Sequence, residues 1–394
     1  MISDGASAHR PPQPLRRQAH AAPDGARTLG ARALALALAL GFLVTGCQVG
    51  PDYHPPVPPT VTAFSRASGG LGEPGPVETT WWRRFQDPLL DDLIARVSSH
   101  NLDLRLAQAR LLEARALWTA ARFDLAPTVV NDNSYQNSQT SRATRPNEPR
   151  HLRHNEVYRF GFDATWELDF WGRARRGIEA ARATVAAVEA ERDDVLVAVR
   201  AELAANYLEL RGLQGQLEVA RRNATNQAET LRLAEALRDG GQGTQLDVAR
   251  ARSQLATTRA GIPAVEAATD RALHRIALLC GWPAAEHTPL LERLTSPSPL
   301  PEPASGIALG QPEELLRRRP DIRTSERQLA AATASIGLQV ADLFPRLTVS
   351  GNVALEANRL SGFSGPGLDA WGFGPRLSWA AFDLGRVRQR IRAA

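Results

Sequence analysis

Lysine is absent: all 47 basic residues of this 394-residue chain are arginine. Cysteine is nearly absent too, with two residues, and there is a single methionine. Two cysteines exclude a disulfide-dense scaffold. No apolar run reaches the roughly 18–20 residues of a helical bilayer span, which excludes a polytopic helical membrane protein. A pI near 9.9 and a formal charge of +5 raise the question of nucleic-acid binding, but the excess is badly placed for it. Residues 1–46 carry Arg10, Arg16, Arg17, Arg27 and Arg32 against Asp4 and Asp24, and the remainder holds 42 arginines against 40 acids. A body so close to neutrality has no whole-molecule field for phosphate, so no nucleic-acid partner is expected.

What is present begins with an address. Ala33 to Val44 is an uncharged apolar stretch behind Arg27 and Arg32, too short for a span and shaped like a signal-peptide core. It runs into Val44-Thr45-Gly46-Cys47, which resembles a lipobox, where small residues precede a cysteine that is diacylated and becomes the mature N-terminus. Residues 1–46 are therefore expected to be a signal peptide and Cys47 the lipidated residue. Gln48, where aspartate would favour retention at the inner membrane, suggests sorting to the outer membrane. With Cys47 acylated, Cys280 has no intrachain partner; in Ala277-Leu-Leu-Cys-Gly-Trp282 it reads as a small buried residue near a helix end. Residues 47–80 read as an extended linker, rich in Pro, Gly, Ser and Thr.

Two stretches recur at nearly fixed offsets. Asp103-Leu-Arg…Asp124-Leu-Ala-Pro127 returns as Asp321-Ile-Arg…Asp342-Leu-Phe-Pro345, 218 residues on. Trp166…Gly172-Arg-Ala-Arg175 returns as Trp379…Gly385-Arg-Val-Arg388, 213 residues on. Agreement in order, spacing and breaker residues points to internal duplication. The copies are assigned to residues 81–300 and 301–394; in each, a helix runs to a proline, two strands follow, and a long helix starts at Gly-Arg. The second copy stops where the first continues past Ala181, so roughly a hundred residues are expected to be missing at the C-terminus.

Val157 to Phe170 alternates without a break. Tyr158, Phe160, Phe162, Ala164, Trp166, Leu168 and Phe170 share one face; Val157, Arg159, Gly161, Asp163, Thr165, Glu167 and Asp169 share the other. Period two over this length is a strong strand signal, longer than the 9–11 or so residues with which a tilted strand crosses a bilayer core. Arg346–Leu355 and Trp371–Trp379 repeat the pattern, Thr128–Tyr135 does so more weakly, and Gln136–Asn155 and Asn358–Asp369 read as polar loops. A soluble antiparallel sheet alternates as well. The export signal, and aromatics concentrated on the apolar faces, favour membrane strands. Four strands cannot close a barrel and an open edge in lipid is not allowed, so several chains must share one.

After Gly172 the chain runs to about Arg238 without proline, roughly 100 Å if helical. Val185, Val188, Leu196, Val199, Leu203, Leu210, Leu213, Leu217, Leu231 and Leu237 recur at helical steps, a stripe that needs partner helices. Gly240, Gly241 and Gly243 permit a tight reversal. Thr244 then reads as an N-cap with Asp247 three residues on, a capping box with aspartate in place of glutamate, and a second helix returns to about Leu279. The tip formed by Gly243, Thr244, Leu246 and Asp247 is a candidate docking surface. No phosphate-binding loop, nucleophile turn or metal cluster accompanies these features: the His151/His154 pair lies in a polar loop, and carboxylates interleave with arginine on helices. Neither an enzyme nor a cofactor site is expected.

Five ordered motifs carry a resemblance over nearly the whole mature chain: Cys47-Gln-Val-Gly-Pro-Asp-Tyr53, Trp81-Trp82…Phe85-Gln-Asp-Pro-Leu89, Asn101-Leu-Asp-Leu-Arg105…Glu113-Ala-Arg115, Leu168-Asp-Phe-Trp-Gly-Arg-Ala-Arg175 and Arg318-Arg-Pro-Asp-Ile-Arg323…Glu326. The chain resembles the outer-membrane factor lipoproteins of tripartite drug-efflux pumps, the NodT-type relatives of the TolC channel. That resemblance implies a fold of mixed α and transmembrane β structure. Four strands per chain enter a shared trimeric barrel that continues as a long α-helical barrel in the periplasm. It implies a homotrimer in outer-membrane lipid that meets a periplasmic adaptor and an inner-membrane RND pump and conducts drugs or other small molecules passively. Arg159, Asp163, Thr165, Glu167 and Asp169 would face the lumen, and Gly243–Asp247 would be the adaptor-docking turn. Trp81, Trp82 and Arg318–Arg323 would serve packing and helix-start geometry. The competing readings are a lipid-anchored periplasmic coiled-coil adaptor and a duct for type I protein secretion.

Overall fold

The computed structural model describes residues 47–57, 78–283, 289–304 and 310–394. The signal peptide and most of the linker lie outside them. After a 3-10 turn at Trp81–Phe85, α1 (Pro88–His100) starts where Asp87 accepts the amides of Leu89 at 2.9 Å and Leu90 at 3.3 Å. Proline follows at the first helical position, where its missing donor costs nothing. Asn101 caps α2 (Leu102–Phe123) in the same way, its side-chain oxygen accepting the Leu104 amide at 3.0 Å.

The strands are β1 (Thr128–Gln139), β2 (His154–Leu168), β3 (Arg346–Ala357) and β4 (Asp369–Ser378), a single antiparallel sheet in the order β1-β2-β3-β4. The first hairpin is longer than its composition suggests. β1 continues past Tyr135, β2 begins before Val157, and one helical turn, α3 (Arg150–Arg153), sits between them. β1 is rich in Asn, Ser and Gln, poor strand formers alone, and owes its conformation to pairing with β2.

From the base of the sheet runs α4 (Arg173–Asp239), 67 residues and so about 100 Å long. It returns as α5 (Gln245–Leu279), while α6 (Pro289–Thr295), α7 (Pro312–Arg318) and α8 (Pro320–Ala341) lead to β3, and α9 (Leu384–Ala393) follows β4. The Arg318–Arg323 motif is a helix start: Pro320 opens α8, and Arg319 pairs with Asp321 at 2.6 Å. α4 packs against α8, α5 and α2.

Duplication is visible at the level of single hydrogen bonds. The Trp166 indole donates to the Leu125 carbonyl and the Trp379 indole to the Leu343 carbonyl, each at 2.9 Å. The hairpin registers agree as well, Thr128 opposite Thr165 and Arg346 opposite Ser378, pairs related by the same offsets of 218 and 213.

The main core lies partway along α4, not at the sheet. Leu89, Leu90, Leu93, Ile94 and Val97 of α1 pack on Val199, Leu203, Tyr207 and Leu210 of α4, closed by Ile276, Leu279, Cys280, Trp282 and Leu294. Each such side chain contributes about 1.5–3 kcal/mol when fully buried. Trp82 joins this core under the Arg200 guanidinium, 5.1 Å above its ring. Tyr207 donates its hydroxyl to Asp87, the cap of α1, which ties helix initiation to the core. Cys280 is fully buried at the end of α5, and burial pushes its thiol up to about 12. We therefore expect Cys280 to resist maleimide labelling at pH 7–8 in the folded protein and to label stoichiometrically in denaturant; rapid labelling of the native protein would contradict this core.

Candidate functional site

Directly paired residues in an antiparallel sheet share a face, so the register sorts every strand residue. One face carries Asp132, Arg159, Asp163, Thr165, Glu167, Arg346, Thr348, Ser350, Asn352, Glu356 and Arg376. On that face Arg159 is the organising group. It meets Asp132 at 2.5 Å, Asp163 at 2.7 Å and Glu356 at 3.4 Å, joining β1, β2 and β3. Gly161, between Arg159 and Asp163 and opposite Asp132, leaves room: a Cβ there would lie 2.6 Å from that of Ala354. Thr165 lies between Thr128 and Ser350, and Glu167 opposite Thr348.

The other face is apolar and uncovered. Phe160, Phe162, Val353, Leu355, Trp371, Phe373, Leu377 and Trp379 are all exposed, Trp371 at 76% and Phe373 at 74%. Such a patch on a monomer marks a surface meant for another apolar phase.

Asp169 does not belong to the polar face. β2 ends at Leu168, and the Asp169 carboxylate accepts the amides of Ala174 and Arg175, each at 3.1 Å, and the Arg175 side chain at 3.2 Å. Alternation extended one step too far here, because the opening amides of α4 capture the carboxylate.

Sequence reasoning also missed what the segment after Cys47 does. It does not trail as a linker; residues 48–53 are clasped between α4 and α8. Arg176, 2% exposed, donates to the carbonyls of Val49 at 3.0 Å and Gly50 at 3.2 Å, and to Asp52 at 2.7 Å and Glu179 at 2.8 Å. The Val49 amide reaches the Trp171 carbonyl at 3.1 Å, and Tyr53 donates to Glu326 of α8 at 3.1 Å. Three glycines make the approach possible. A Cβ on Gly50 would overlap the Gly337 backbone, one on Gly337 would lie 2.7 Å from Nε of Arg176, and one on Gly172, at φ +76°, 2.8 Å from Cα of Gln48. The one local signal was Glu179 three residues after Arg176, an ordinary helical pair that does not single out a buried arginine. Cys47 itself is exposed.

At the far end of α4 the turn carries Gly241 at φ +73°. The Asp247 amide donates to the Thr244 hydroxyl at 3.2 Å while the Thr244 amide donates to the Asp247 carboxylate at 3.2 Å, the reciprocal box that the spacing predicts. A Cβ on Gly243 would crowd Leu237 and Arg238, and Leu246 is 57% exposed on the outer side of the tip.

An amphipathic sheet with both edges open, mounted on a helix several times the usual length, is one protomer's share of a barrel with a helical extension. That is the architecture of an outer-membrane channel. Comparison with known proteins agrees. The family model described as outer membrane efflux protein matches residues 93–282 and 311–394. Nodulation protein T of Rhizobium leguminosarum bv. trifolii is 32% identical over 355 residues, spanning 90% of this chain and 74% of that protein. The toluene efflux pump outer membrane protein TtgF of Pseudomonas putida is 30% identical over 366 residues, spanning 90% and 74%. Among solved structures, the outer-membrane channel OprN superposes with a TM-score of 0.79 at 41% identity, covering 88% of this chain and 76% of that one. The CmeC outer membrane channel of Campylobacter jejuni, at 19% identity and a TM-score of 0.78 over 88% and 73%, shows the same fold. The chain belongs to the outer membrane efflux protein family, and its place is the outer membrane.

Arg176→Ala removes three hydrogen bonds to residues 49–52, and residues 48–57 should become cleavable by limited proteolysis while far-UV ellipticity is unchanged; persistent protection would contradict the clasp. At the tip, Thr244→Ala should cost the first turn of α5 about 1 kcal/mol, read as faster amide exchange. The Asp247 carboxyl lies below its ordinary value because it accepts the Thr244 hydroxyl and backbone amide. A depressed folded pKa stabilises fully above the unfolded value of about 4 and is lost as pH falls through the folded value. Protection of that turn should thus be level from pH 7 to about pH 5 and decline only in stronger acid.

Proposed function

We propose that three copies of this chain close one twelve-stranded barrel and serve as the outer-membrane duct of a tripartite efflux pump, conducting small molecules passively to the exterior. The single observation that carries this is the sheet: a face rich in charged and polar side chains backed by a largely uncovered apolar one, with both edges open. Only a closed barrel satisfies such edges in lipid. A periplasmic coiled-coil scaffold would have no use for that apolar face. On this reading Arg159, Asp163, Thr165 and Glu167 face the lumen, and Asp169 is left out because it caps α4. Phe160, Phe162, Trp371 and Phe373 face lipid.

Gly243, Thr244, Leu246 and Asp247 form the tip that meets a periplasmic adaptor, which couples the duct to an inner-membrane RND pump. The capped turn supports this by holding Leu246 outward on a rigid end. Cys47 is the lipid attachment point, and the clasp on residues 48–53 holds its acyl chains level with the base of the sheet. The pump chooses the cargo; a duct lined by mixed charges is permissive.

Reconstituted into planar bilayers, the protein should give discrete conductance steps, and a soluble trimer without conductance would defeat the channel reading. The polar face of each chain carries Asp132, Asp163, Glu167 and Glu356 against Arg159, Arg346 and Arg376, one net negative charge. Asp163→Asn with Glu167→Gln turns that into one net positive charge and should shift the reversal potential toward anions; an unshifted potential would remove these side chains from the lumen. Cys47→Ser should abolish palmitate labelling.

A further inference from the structure

The two repeats meet inside the chain through β2 against β3 and α4 against α8. The counterparts of β2 and α4 in the second repeat, β4 and α9, have no such partner among the described residues. The counterparts of β3 and α8 in the first repeat, β1 and α2, have none among them either. Because the hairpin registers and the two indole hydrogen bonds already obey the 218 and 213 offsets, the internal junction can be carried over to the free edges residue by residue. We infer that β4 of one copy pairs with β1 of a second copy in the register that sets Ser378 opposite Asp132, and that Arg386 forms an ion pair with Asp124 of that second copy. This rests on the shared-barrel reading above, and adds to it which residues form the seam.

The observed pair Thr165–Ser350 maps onto Ser378–Asp132, and Trp166–Val349 onto Trp379–Asn131. The ladder then runs to Trp371 opposite Gln139 without leaving either strand. Faces match throughout. Ser378, Arg376 and Gly374 meet Asp132, Ser134 and Gln136 on the polar side. On the apolar side the register explains an oddity of β1, which presents Asn131, Asn133 and Asn137 where lipid should be. Their partners across the seam are Trp379, just past the end of β4, and Leu377 and Phe373 within it, all large and exposed. Those side chains cover the asparagines. Each amide already has a partner inside the sheet, Asn131 donating to the Gly161 carbonyl at 3.0 Å, Asn133 to Asn131 at 2.6 Å and Asn137 to the Tyr135 hydroxyl at 3.2 Å, which lowers the cost of covering them.

Charge agrees as well. At the internal junction Arg173 of α4 meets Asp342 at the end of α8 at 3.3 Å. The offsets convert these residues to Arg386 and Asp124, both exposed. Arg376 faces Ser134 and lies diagonal to Asp132, the carboxylate that Arg159 already holds, so the seam extends the arginine knot into the neighbouring copy.

Cysteine pairs in the intact protein test the register. Within one copy β1 and β4 are three strand spacings apart, about 14 Å, too far for a disulfide. Ser378→Cys with Asp132→Cys should therefore give covalent trimers on oxidation, and Ser378→Cys with Ser134→Cys at least tenfold fewer. The reverse preference overturns the register and leaves the channel standing. No cross-link from either pair in a conducting protein overturns the seam alone; no cross-link in a monomeric, non-conducting protein overturns seam and channel together. Independently, Asp124→Arg and Arg386→Asp should each lower the temperature at which the trimer dissociates in detergent, and the double exchange should restore it; a double variant no better than the singles overturns the ion pair.

Discussion

A backbone amide left unpaired in hydrocarbon costs several kcal/mol, and a four-stranded sheet exposes a row of such groups on each side. That constraint governs the molecule. β1 and β4 are both open edges, and the side chains behind them are apolar on one face and charged on the other. The chain answers by duplication. A unit that already knows how to pair with its own copy needs no new interface to pair with a second molecule.

The same economy appears at the base of the sheet, where strands become helices. Trp171 stacks on Phe344 with ring centroids 4.6 Å apart and donates its indole to Pro345 at 2.9 Å. Asp342 draws in Arg173, Arg346 and Arg390. Beside them Arg176 is buried, a placement that costs several kcal/mol unless its donors are met. Two carbonyls and two carboxylates meet them. Residues 48–53 are thus part of the junction between repeats, docked where helix and sheet meet.

Much of this was legible along the chain because it depends on local period. β2 alternates over its whole length; α4 and α5 begin and end within two residues of their expected limits, since glycines and a capping box mark the reversal. The cap at Thr244 and Asp247 and the burial of Cys280 needed nothing beyond neighbouring residues. Other features lacked a local signal. β1 looks weak because its outer face is asparagine. Asp169 continues the alternation of β2 yet turns to α4. Arg176 sits on a helix beside other arginines, and nothing nearby in sequence distinguishes the one that is buried. Asp132 and Glu356 join Arg159 only because the register brings three strands together.

Periodicity, breakers and repetition in the sequence determined the elements, their lengths, their faces and the duplicated plan, since each depends on residues a few positions apart. Which charges share a knot, which arginine is buried, where the N-terminal segment docks and how the two repeats register were decided only by tertiary structure. The contacts that decide them join residues as far as 273 positions apart, and they depend on whether two backbones can approach closely enough for glycine to matter. The amphipathic strand is a property of the chain; the polar face it helps to build belongs to the fold.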